Sequence, residues 1–149
     1  MVQQMKITYK DGDFLSGPEP YKAHGCNAQG AFGAGAAGAI ERKHPDAALW
    51  YRAWHRRNGL TLGEVIYFRM KETTIAHCIT QLNYGRVSST RYVDYPAVRQ
   101  CMTELNHEAG SQEVAMPKIG AGLAGGNWKV IEQIIEEEFT DSIPVVYIL

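Results

Sequence analysis

Residues 23–38 read AHGCNAQGAFGAGAAG, and a second stretch of similar composition, PKIGAGLAGGNW, occupies residues 117–128. In the first stretch the end of a predicted strand passes into a loop of small residues, which opens an alanine-rich helix ending near Lys43. Unpaired N–H groups at a helix start bind anions, and glycine lets a ligand approach the backbone closely. The second stretch also lies between a short apolar run and a helix. The two loops together predict a site for one diphosphate.

The length and charge of the chain set limits on the kind of partner. Its 149 residues, 45% of them hydrophobic, are typical of one domain spanning 1–149 with an ordinary core. The 15 basic and 16 acidic residues give a net charge of −1, which gives no indication of a nucleic-acid or membrane surface. We therefore expect a small-molecule partner held by a local site, with no membrane partner and no nucleic-acid partner.

The N-terminus and the cysteines indicate the compartment. Residues 1–6 have neither the pattern of a signal peptide nor a span long enough for a bilayer, so we predict an intracellular, cytoplasmic protein. Cys26, Cys78 and Cys101 include no CxxC pair, which favours reduced thiols over a disulfide framework or a zinc site. Cys26 and Cys78 lie in apolar runs and are predicted in the core. The histidines show no metal-ligand spacing, so neither a metal nor a cofactor is expected.

The order of the predicted elements indicates the fold class. Predicted strands cover residues 5–9, 21–26, 64–70, 73–80, 113–116 and 143–149. Predicted helices begin after the first glycine loop, at Pro45, at Asp94 or Tyr95, and after Asn127. The tight turn at residues 71–72 predicts an antiparallel strand pair. The expected fold is a three-layer α/β/α sandwich with a mixed, mostly parallel sheet of about six strands, in which ligands bind where strand ends meet helix starts.

A dinucleotide-binding site is the competing interpretation of the first loop. Gly33, Gly35 and Gly38 spell the GxGxxG fingerprint. In that motif the first glycine follows its strand at once, and an acidic residue lies about 20 positions later on a second strand. Here residues 27–30 intervene, and the later region is the predicted helix around residues 54–57. A Rossmann-type NAD site is therefore disfavoured.

Two further segments carry polar groups at strand ends. Asp13 follows the first predicted strand, where its carboxylate either makes a local turn bond or accepts a hydrogen bond from an exocyclic amine of a ligand. Residues 81–92 are polar, contain glycine and have no period, which predicts a loop at a strand end, where function concentrates.

Three linked motifs resemble the macrodomain family, whose members bind ADP-ribose. They are Gly12-Asp13, residues 24–30 with 32–37, and residues 116–123. The resemblance runs from Ile7 to Leu149. It implies that Asp13 binds the adenine amine, that Asn27 contacts the distal ribose, and that the two glycine loops enclose the diphosphate and distal ribose. The ligand-binding residues it implies are Asp13, Asn27, Phe32, Gly33, Ala34, Gly35, Ala36, Gly120, Ala121, Gly122, Leu123 and Ala124.

Within that family, residues 24–27, 81–85 and 91–95 are most similar to the small phosphatase branch, which acts on ADP-ribose 1''-phosphate. In that reading His24 is the catalytic candidate, because imidazole transfers protons near neutral pH. The alternative is a hydrogen-bonded histidine inside a strand. Strand alternation also places His24 and Asn27 on opposite sides unless the chain bends at Gly25 or Cys26. Lys118 and Arg91 are further candidates for a terminal phosphate, the alternative for each being a solvated surface position.

The resemblance leaves two other functions open. One is a binding module that captures ADP-ribose without chemistry. The other is an ADP-ribosyl glycohydrolase acting on modified protein or nucleic acid. Gln81 and Ala124 stand where such enzymes carry a lysine and an aspartate, and neither side chain performs nucleophilic or acid–base chemistry. The glycohydrolase is therefore disfavoured, and the oligomeric state stays open.

Overall fold

The structure, a computed structural model, describes residues 4–87 and 89–149. The strands of this part are β1 (Thr8–Asp11), β2 (Tyr21–Asn27), β3 (Val65–Arg69), β4 (Thr74–Gln81), β5 (Glu113–Met116) and β6 (Ile143–Ile148). The helices are α1 (Gly35–Lys43), α2 (Pro45–Asn58), α3 (Tyr95–Ala109) and α4 (Trp128–Glu138). A short 3-10 helix covers Phe14–Ser16. The first three residues of the N-terminal stretch considered above, and Ser88 of the 81–92 loop, lie outside the described residues.

The strands form one sheet in the order β1-β6-β5-β2-β4-β3. Every neighbouring pair is parallel except β3 and β4, which are antiparallel. A tight turn joins these two strands, and in it Met70 N donates a hydrogen bond to Thr73 O at 2.8 Å. Core clusters on the two faces of the sheet contain residues of α3 and α4 in one case and of α1 and α2 in the other. The predicted three-layer sandwich with a mixed, mostly parallel sheet is therefore confirmed.

Most predicted helix boundaries agree with the structure. Pro45 begins α2, and Gly59 (φ 72°) and Gly110 (φ 60°) follow α2 and α3 in conformations that favour glycine. Asn127 caps α4 by accepting a hydrogen bond from Lys129 N. Asp94 occupies the N-cap position of α3, but its side chain makes no capping hydrogen bond.

The first strand differs from the prediction, because it begins at Thr8 rather than at residue 5. Met5 N donates to Phe139 O at 3.0 Å, and Ile7 N donates to Glu136 at 3.1 Å. Met5 and Ile7 are apolar because they pack on the core cluster shared with α4, and not because they pair within the sheet. The apolar run thus correctly predicted that these residues pack on the core, but it placed the start of β1 three residues too early.

The parallel arrangement brings several strand ends to one edge. β2 ends at Asn27, β4 ends at Gln81 and β5 ends at Met116, and β2 pairs with both β4 and β5. The two glycine loops follow β2 and β5 directly, so they lie side by side at this edge. In the described ranges, no helix has the length and apolarity needed to cross a membrane.

Candidate functional site

A cavity of about 790 Å³ lies at the carboxyl ends of β2, β4 and β5. The two glycine loops form its opposite walls, and the 81–92 loop contributes a third side. The lining residues are Gly25, Cys26, Asn27, Ala31–Ala37, Gln81, Tyr84, Gly85, Arg86, Pro117–Gly120 and Gly122–Ala124. Two segments about ninety residues apart in sequence therefore share one concave surface large enough for a drug-sized ligand.

Most of the residues predicted for the site line this cavity. Those that do are Asn27, Phe32, Gly33, Ala34, Gly35, Ala36, Gly120, Gly122, Leu123 and Ala124. Asp13, His24 and Ala121 are not among the lining residues. The cavity is also lined by residues outside that predicted set, among them Cys26, Tyr84 and Arg86, the last two in the 81–92 loop that its polarity indicated as a functional segment.

Asn27 organises the first loop. Its Oδ1 accepts hydrogen bonds from Gln29 N at 3.0 Å and Ala31 N at 3.1 Å, while its Nδ2 donates to Ala31 O at 2.8 Å. The β2–β4 pairing is irregular at this end: Cys26 pairs with Ile79 and Asn27 with Gln81, so the extra residue, Thr80, lies in β4 and not in β2. Asn27 lines the cavity, whereas His24 on the same strand does not.

The start of α1 forms one wall of the cavity. Gly33 (φ 118°) and Gly35 (φ 56°) adopt conformations that L side chains rarely adopt. A Cβ at Gly38 would lie 2.8 Å from Gly33 O, so helix and loop pack backbone against backbone. Ala34 sits at the N-cap without a side-chain hydrogen bond to the first turn. The first N–H groups of α1 and its positive dipole end are therefore directed at the cavity.

The second loop folds back on itself and on the 81–92 loop. Gly126 N donates to Gly120 O at 2.8 Å, and Ala121 N donates to Lys118 O at 3.1 Å. The Ala124 oxygen accepts hydrogen bonds from Tyr92 N at 2.7 Å and Val93 N at 3.1 Å. The wall opposite α1 is thus fixed by its own turn and by the adjoining segment.

The charge of the lining is positive. Lys118 and Arg86 are exposed side chains on the rim, and no aspartate, glutamate or histidine is among the lining residues of the described ranges. Arg91, the other cation considered from the sequence, lies outside the lining with its guanidinium 4.3 Å from the ring centroid of Tyr95. The cavity therefore suits an anionic ligand.

Asp13 makes the local turn hydrogen bond, which was one of the two roles predicted for its carboxylate. Its Oδ1 accepts a hydrogen bond from Leu15 N at 2.9 Å and caps the short 3-10 helix. Asp13 follows β1, which lies three strands from β2 in the sheet, a separation of about 14 Å. Its carboxylate lies at the same sheet edge as the cavity, and the prediction that it contacts an adenine amine stays a prediction.

His24 takes the position of a buried, hydrogen-bonded histidine. It is 0% exposed, and its Nε2 lies 2.6 Å from Nδ1 of His77. Burial, with the nearby His77 adding to it, holds the pKa of His24 well below its ordinary range. Because the ring does not line the cavity, this geometry gives no support to proton transfer by His24.

His24 belongs to a cluster that sequence spacing did not reveal. The donor atoms of His24, Cys26 and His77 all lie within 4.8 Å of one another, although no metal-spaced histidine set was expected. The set is assembled by strand pairing, because His24 and His77 are register partners on β2 and β4. Burial lowers the pKa of His77 to about 3 and raises the pKa of the Cys26 thiol well above its ordinary value.

A sequence profile of the Macro domain family matches residues 23–135. The chain belongs to the macrodomain family. The resemblance stated from the three motifs is confirmed by this match. The match covers both glycine loops and therefore both walls of the cavity.

Relatives of this macrodomain span most of its length. An uncharacterised 17.5 kDa protein of Enterobacteria phage T4 is 32% identical, with 89% of each chain covered. An ADP-ribose 1''-phosphate phosphatase of Lodderomyces elongisporus is 26% identical, with 89% of this chain and 92% of the relative covered. A DNA ADP-ribosyl glycohydrolase of Mycobacterium tuberculosis is 24% identical over 89% of this chain, which spans only 38% of that relative.

Solved structures show the same fold. A protein from Bacteroides thetaiotaomicron superposes with a TM-score of 0.87 and 32% identity, covering 97% of this chain and all of the other. Thermosipho africanus DarTG in complex with ADP-ribose superposes with a TM-score of 0.81 and 15% identity, covering 99% of this chain and 44% of the other. At that identity the second similarity concerns the fold alone.

Proposed function

We propose that this macrodomain binds ADP-ribose or a derivative, and that its reaction is the removal of the terminal phosphate from ADP-ribose 1''-phosphate. One observation carries the proposal: the uncapped N-terminus of α1 and the 117–124 loop line the same cavity from opposite sides. A diphosphate between them receives backbone N–H groups and a helix dipole without side-chain obstruction.

The strand order suggests how the ligand lies. The diphosphate lies over the ends of β5 and β2, between the two glycine loops. The distal ribose lies by Asn27, at the deep side of the cavity. The adenosine end extends toward β1, where Asp13 leaves one carboxylate oxygen beyond its bond to Leu15 N. This orientation agrees with the roles that the family resemblance implies for Asp13 and Asn27.

The rim cations support a ligand with an additional phosphate. Arg86 and Lys118 line the cavity, and both are exposed to an incoming ligand. Phosphoryl transfer depends mainly on positioning and on stabilising charge, so a site without a buried acid–base pair is compatible with it. A water oxygen attacks phosphorus, the bond from phosphorus to the ribosyl oxygen breaks, and a proton of the attacking water passes to the departing ribosyl oxygen, which gives ADP-ribose and inorganic phosphate. The similar fungal phosphatase, covered over 92% of its length, supports this reaction.

Phosphate release from ADP-ribose 1''-phosphate is the direct test. We expect turnover by the intact protein and a loss of kcat/KM of about tenfold or more in Arg86→Gln and Lys118→Gln, because each loses a charged contact. Arg57→Gln, an exposed arginine on α2 outside the cavity, is the matched control and keeps wild-type turnover. No release above background by the wild-type protein would remove the phosphatase assignment.

Binding without chemistry is the second candidate. It is favoured by the lining itself, which in the described residues offers no carboxylate and no histidine. Calorimetry with ADP-ribose, together with chromatography of ADP-ribose 1''-phosphate after long incubation, distinguishes the two. Saturable ADP-ribose binding with an unchanged phosphorylated substrate selects a binding module.

An ADP-ribosyl glycohydrolase is the third candidate. Gln81 and Ala124 both line the cavity, at the positions where the family resemblance places a lysine and an aspartate in such enzymes. An amide and a methyl group supply neither a nucleophile nor a general base. We expect no release of ADP-ribose from glutamate esters or from modified thymidine, and measurable release from either would reverse the ranking.

The compartment and the domain organisation stay predictions from the sequence. We propose a cytoplasmic location, a single domain over residues 1–149, and a small-molecule partner without nucleic acid.

A further inference from the structure

The strongest feature outside the proposed reaction is the group formed by His24, Cys26 and His77, here called the HCH cluster. His24 and His77 are register partners on the parallel strands β2 and β4, and Cys26 lies two residues beyond His24 on the same face of β2. The Cys26 sulfur lies 3.5 Å from His24 Nε2 and 3.8 Å from His77 Nδ1. Three donor atoms therefore form one small triangle.

The surroundings of the HCH cluster are dry and aromatic. His24 and His77 are 0% exposed and Cys26 is 5% exposed. The rings of Phe32, Trp50 and Tyr51 pack around the imidazoles, with centroids 5.0 to 6.0 Å apart within this group. No carboxylate is hydrogen-bonded to either imidazole among the described contacts. The two imidazoles are therefore not oriented by a carboxylate, as they would be in a catalytic histidine–carboxylate pair.

The hydrogen bonding of the cluster is incomplete. The one contact between the imidazoles joins His24 Nε2 and His77 Nδ1, and Nε2 of His77 has no partner within the described residues. Unpartnered polar atoms at this depth are rare, because losing water without a replacement is costly. The atom that His77 directs at His24 and Cys26 is Nδ1, so the unpartnered Nε2 is a separate feature, and the case for a ligand rests on the triangle of donor atoms.

The donor set and its dimensions fit zinc. Two imidazole nitrogens and one thiolate suit Zn²⁺, whose bonds of about 2.0–2.1 Å to nitrogen and 2.3 Å to sulfur give tetrahedral edges of about 3.3 Å between nitrogens and about 3.6 Å between nitrogen and sulfur. The two edges to Cys26, 3.5 and 3.8 Å, already have that length. Only the edge between the imidazoles, 2.6 Å, has to open, by about 0.7 Å.

We propose that the HCH cluster is a zinc site directly behind the cavity, with His24, Cys26 and His77 as its protein ligands. Cys26 and Phe32 line the cavity while the two imidazoles lie beneath them. Three protein donors leave one coordination position of the ion unfilled by the protein, as in zinc sites that exchange a ligand. This site is independent of the proposed phosphatase reaction, in which no step involves it.

Metal binding is tested on the full chain without nucleotide. Chelator-stripped protein is titrated with Zn²⁺ and separately with Co²⁺, followed by equilibrium dialysis with elemental analysis and by absorption spectroscopy. We expect one ion per chain, and with Co²⁺ a thiolate-to-metal charge-transfer band in the near ultraviolet. Exposed histidines elsewhere bind cobalt without such a band, because they supply no sulfur.

Cys26→Ala and His77→Gln are the test variants, and Cys78→Ala is the matched control. Cys78 is an equally buried thiol on β4 whose side chain faces the opposite core cluster. Removal of a ligand weakens Zn²⁺ binding by at least about tenfold and, for Cys26→Ala, abolishes the cobalt band, whereas Cys78→Ala keeps both. Circular dichroism shows which variants fold.

A second measurement does not depend on the variants. X-ray absorption of the zinc-loaded wild-type protein is expected to show one sulfur and at least two nitrogen neighbours. The proposal is overturned if the coordination shell of zinc contains no sulfur. It is also overturned if the wild-type protein binds Zn²⁺ no more tightly than Cys26→Ala does, or if it takes up Cu(I) selectively in place of Zn²⁺. ADP-ribose calorimetry on the metal-free protein separates this result from the proposed function, since nucleotide binding without zinc binding, or the reverse, identifies which assignment failed.

Discussion

The hydroxyl of Tyr51 donates a hydrogen bond to the main-chain oxygen of Asn27 at 2.6 Å and lies 3.3 Å from its Oδ1. This buried contact from α2 fixes the strand end from which the first glycine loop begins. Loss of the hydroxyl in Tyr51→Phe leaves a buried acceptor without its donor. We expect unfolding in urea to show a loss of about 1–2 kcal/mol.

The same Tyr51→Phe variant tests whether loop order contributes to binding. A less ordered loop loses more conformational entropy when the ligand binds, so we expect ADP-ribose affinity measured by calorimetry to fall several-fold. Tyr67→Phe is the control, because the Tyr67 hydroxyl bonds to Glu104 at an exposed position away from the cavity. Equal effects of the two substitutions would contradict the role given to Tyr51.

Two alanine substitutions test the backbone packing of the two loops. A Cβ at Gly38 would lie 2.8 Å from Gly33 O, and a Cβ at Gly126 would lie 2.6 Å from Gly120 O. Each loop backbone has to move, so Gly38→Ala and Gly126→Ala are each expected to lose about 1–3 kcal/mol of unfolding free energy. Because that movement displaces a wall of the cavity, ADP-ribose affinity is expected to fall at least about tenfold. Gly122→Ala meets no atom within 4 Å and keeps wild-type stability in the same melts. Wild-type affinity in both test variants would mean that the loops do not hold the ligand.

Asp13→Asn separates the local and ligand roles of Asp13. The amide oxygen still accepts the bond from Leu15 N, so the unfolding free energy stays within about 0.5 kcal/mol of the wild type. The new NH₂ group faces the adenine amine donor to donor, so ADP-ribose affinity falls about tenfold. Asp11→Asn, at the exposed end of β1, is the charge-matched control. Calorimetry giving the same affinity for Asp13→Asn and Asp11→Asn would exclude the adenine contact.

Glu19 gives the protein a defined sensitivity to acid. Its buried carboxylate lies 3.3 Å from Lys22 and 3.2 Å from Lys10, and Tyr147 donates to it at 2.8 Å. Burial acts to raise the pKa of Glu19, but these hydrogen bonds outweigh it and hold the pKa below the ordinary 4.5. Because the folded-state pKa is lowered, this stabilisation is present above about pH 4.5 and is lost as the pH falls through the folded-state pKa.

Glu19→Gln is therefore expected to cost about 3 kcal/mol at pH 7, since it leaves the Lys22 ammonium buried without its counter-charge. The difference from the wild type shrinks as urea unfolding is repeated at successively lower pH. Glu137→Gln removes an exposed carboxylate paired with Arg99 and is expected to have a much smaller effect at every pH. A penalty for Glu19→Gln that does not depend on pH would show that its charge is unimportant.

Local patterns predicted the elements well because each is set by nearby residues. The glycine positions fix the loops, Pro45 and Gly59 bound α2, and Asn127 caps α4. β1 was placed too early because an apolar residue such as Ile7 has the same pattern whether it pairs in a sheet or packs on a helix. The irregular pairing of β2 with β4, in which Thr80 is the extra residue of β4, was not predicted, because a bulge at non-glycine residues leaves no clear sequence signal.

The sequence does not show which residues on different strands lie side by side. His24 and His77 are separated by 53 positions, and only the pairing of β2 with β4 brings their rings together. The sequence therefore left two interpretations of His24 open, an acid–base group and a hydrogen-bonded histidine inside a strand, and the strand pairing favours the second. Arg86 lies in a loop without period, where no pattern fixes the direction of a side chain, and its place on the rim emerged only from the fold.

The position of β6 has a consequence for how the chain is made. Within this sheet β6 follows the other five strands in sequence, yet it lies between β1 and β5, and among the described strands β1 pairs with β6 alone. β1 therefore cannot pair until β6 has been synthesised, while β2 to β5 already have partners among themselves. A nascent chain that stalls before β6 would carry the two glycine loops but leave one edge of β5 unpaired, and an unpaired strand edge is a site of aggregation, so residues 143–148 protect the folding intermediate.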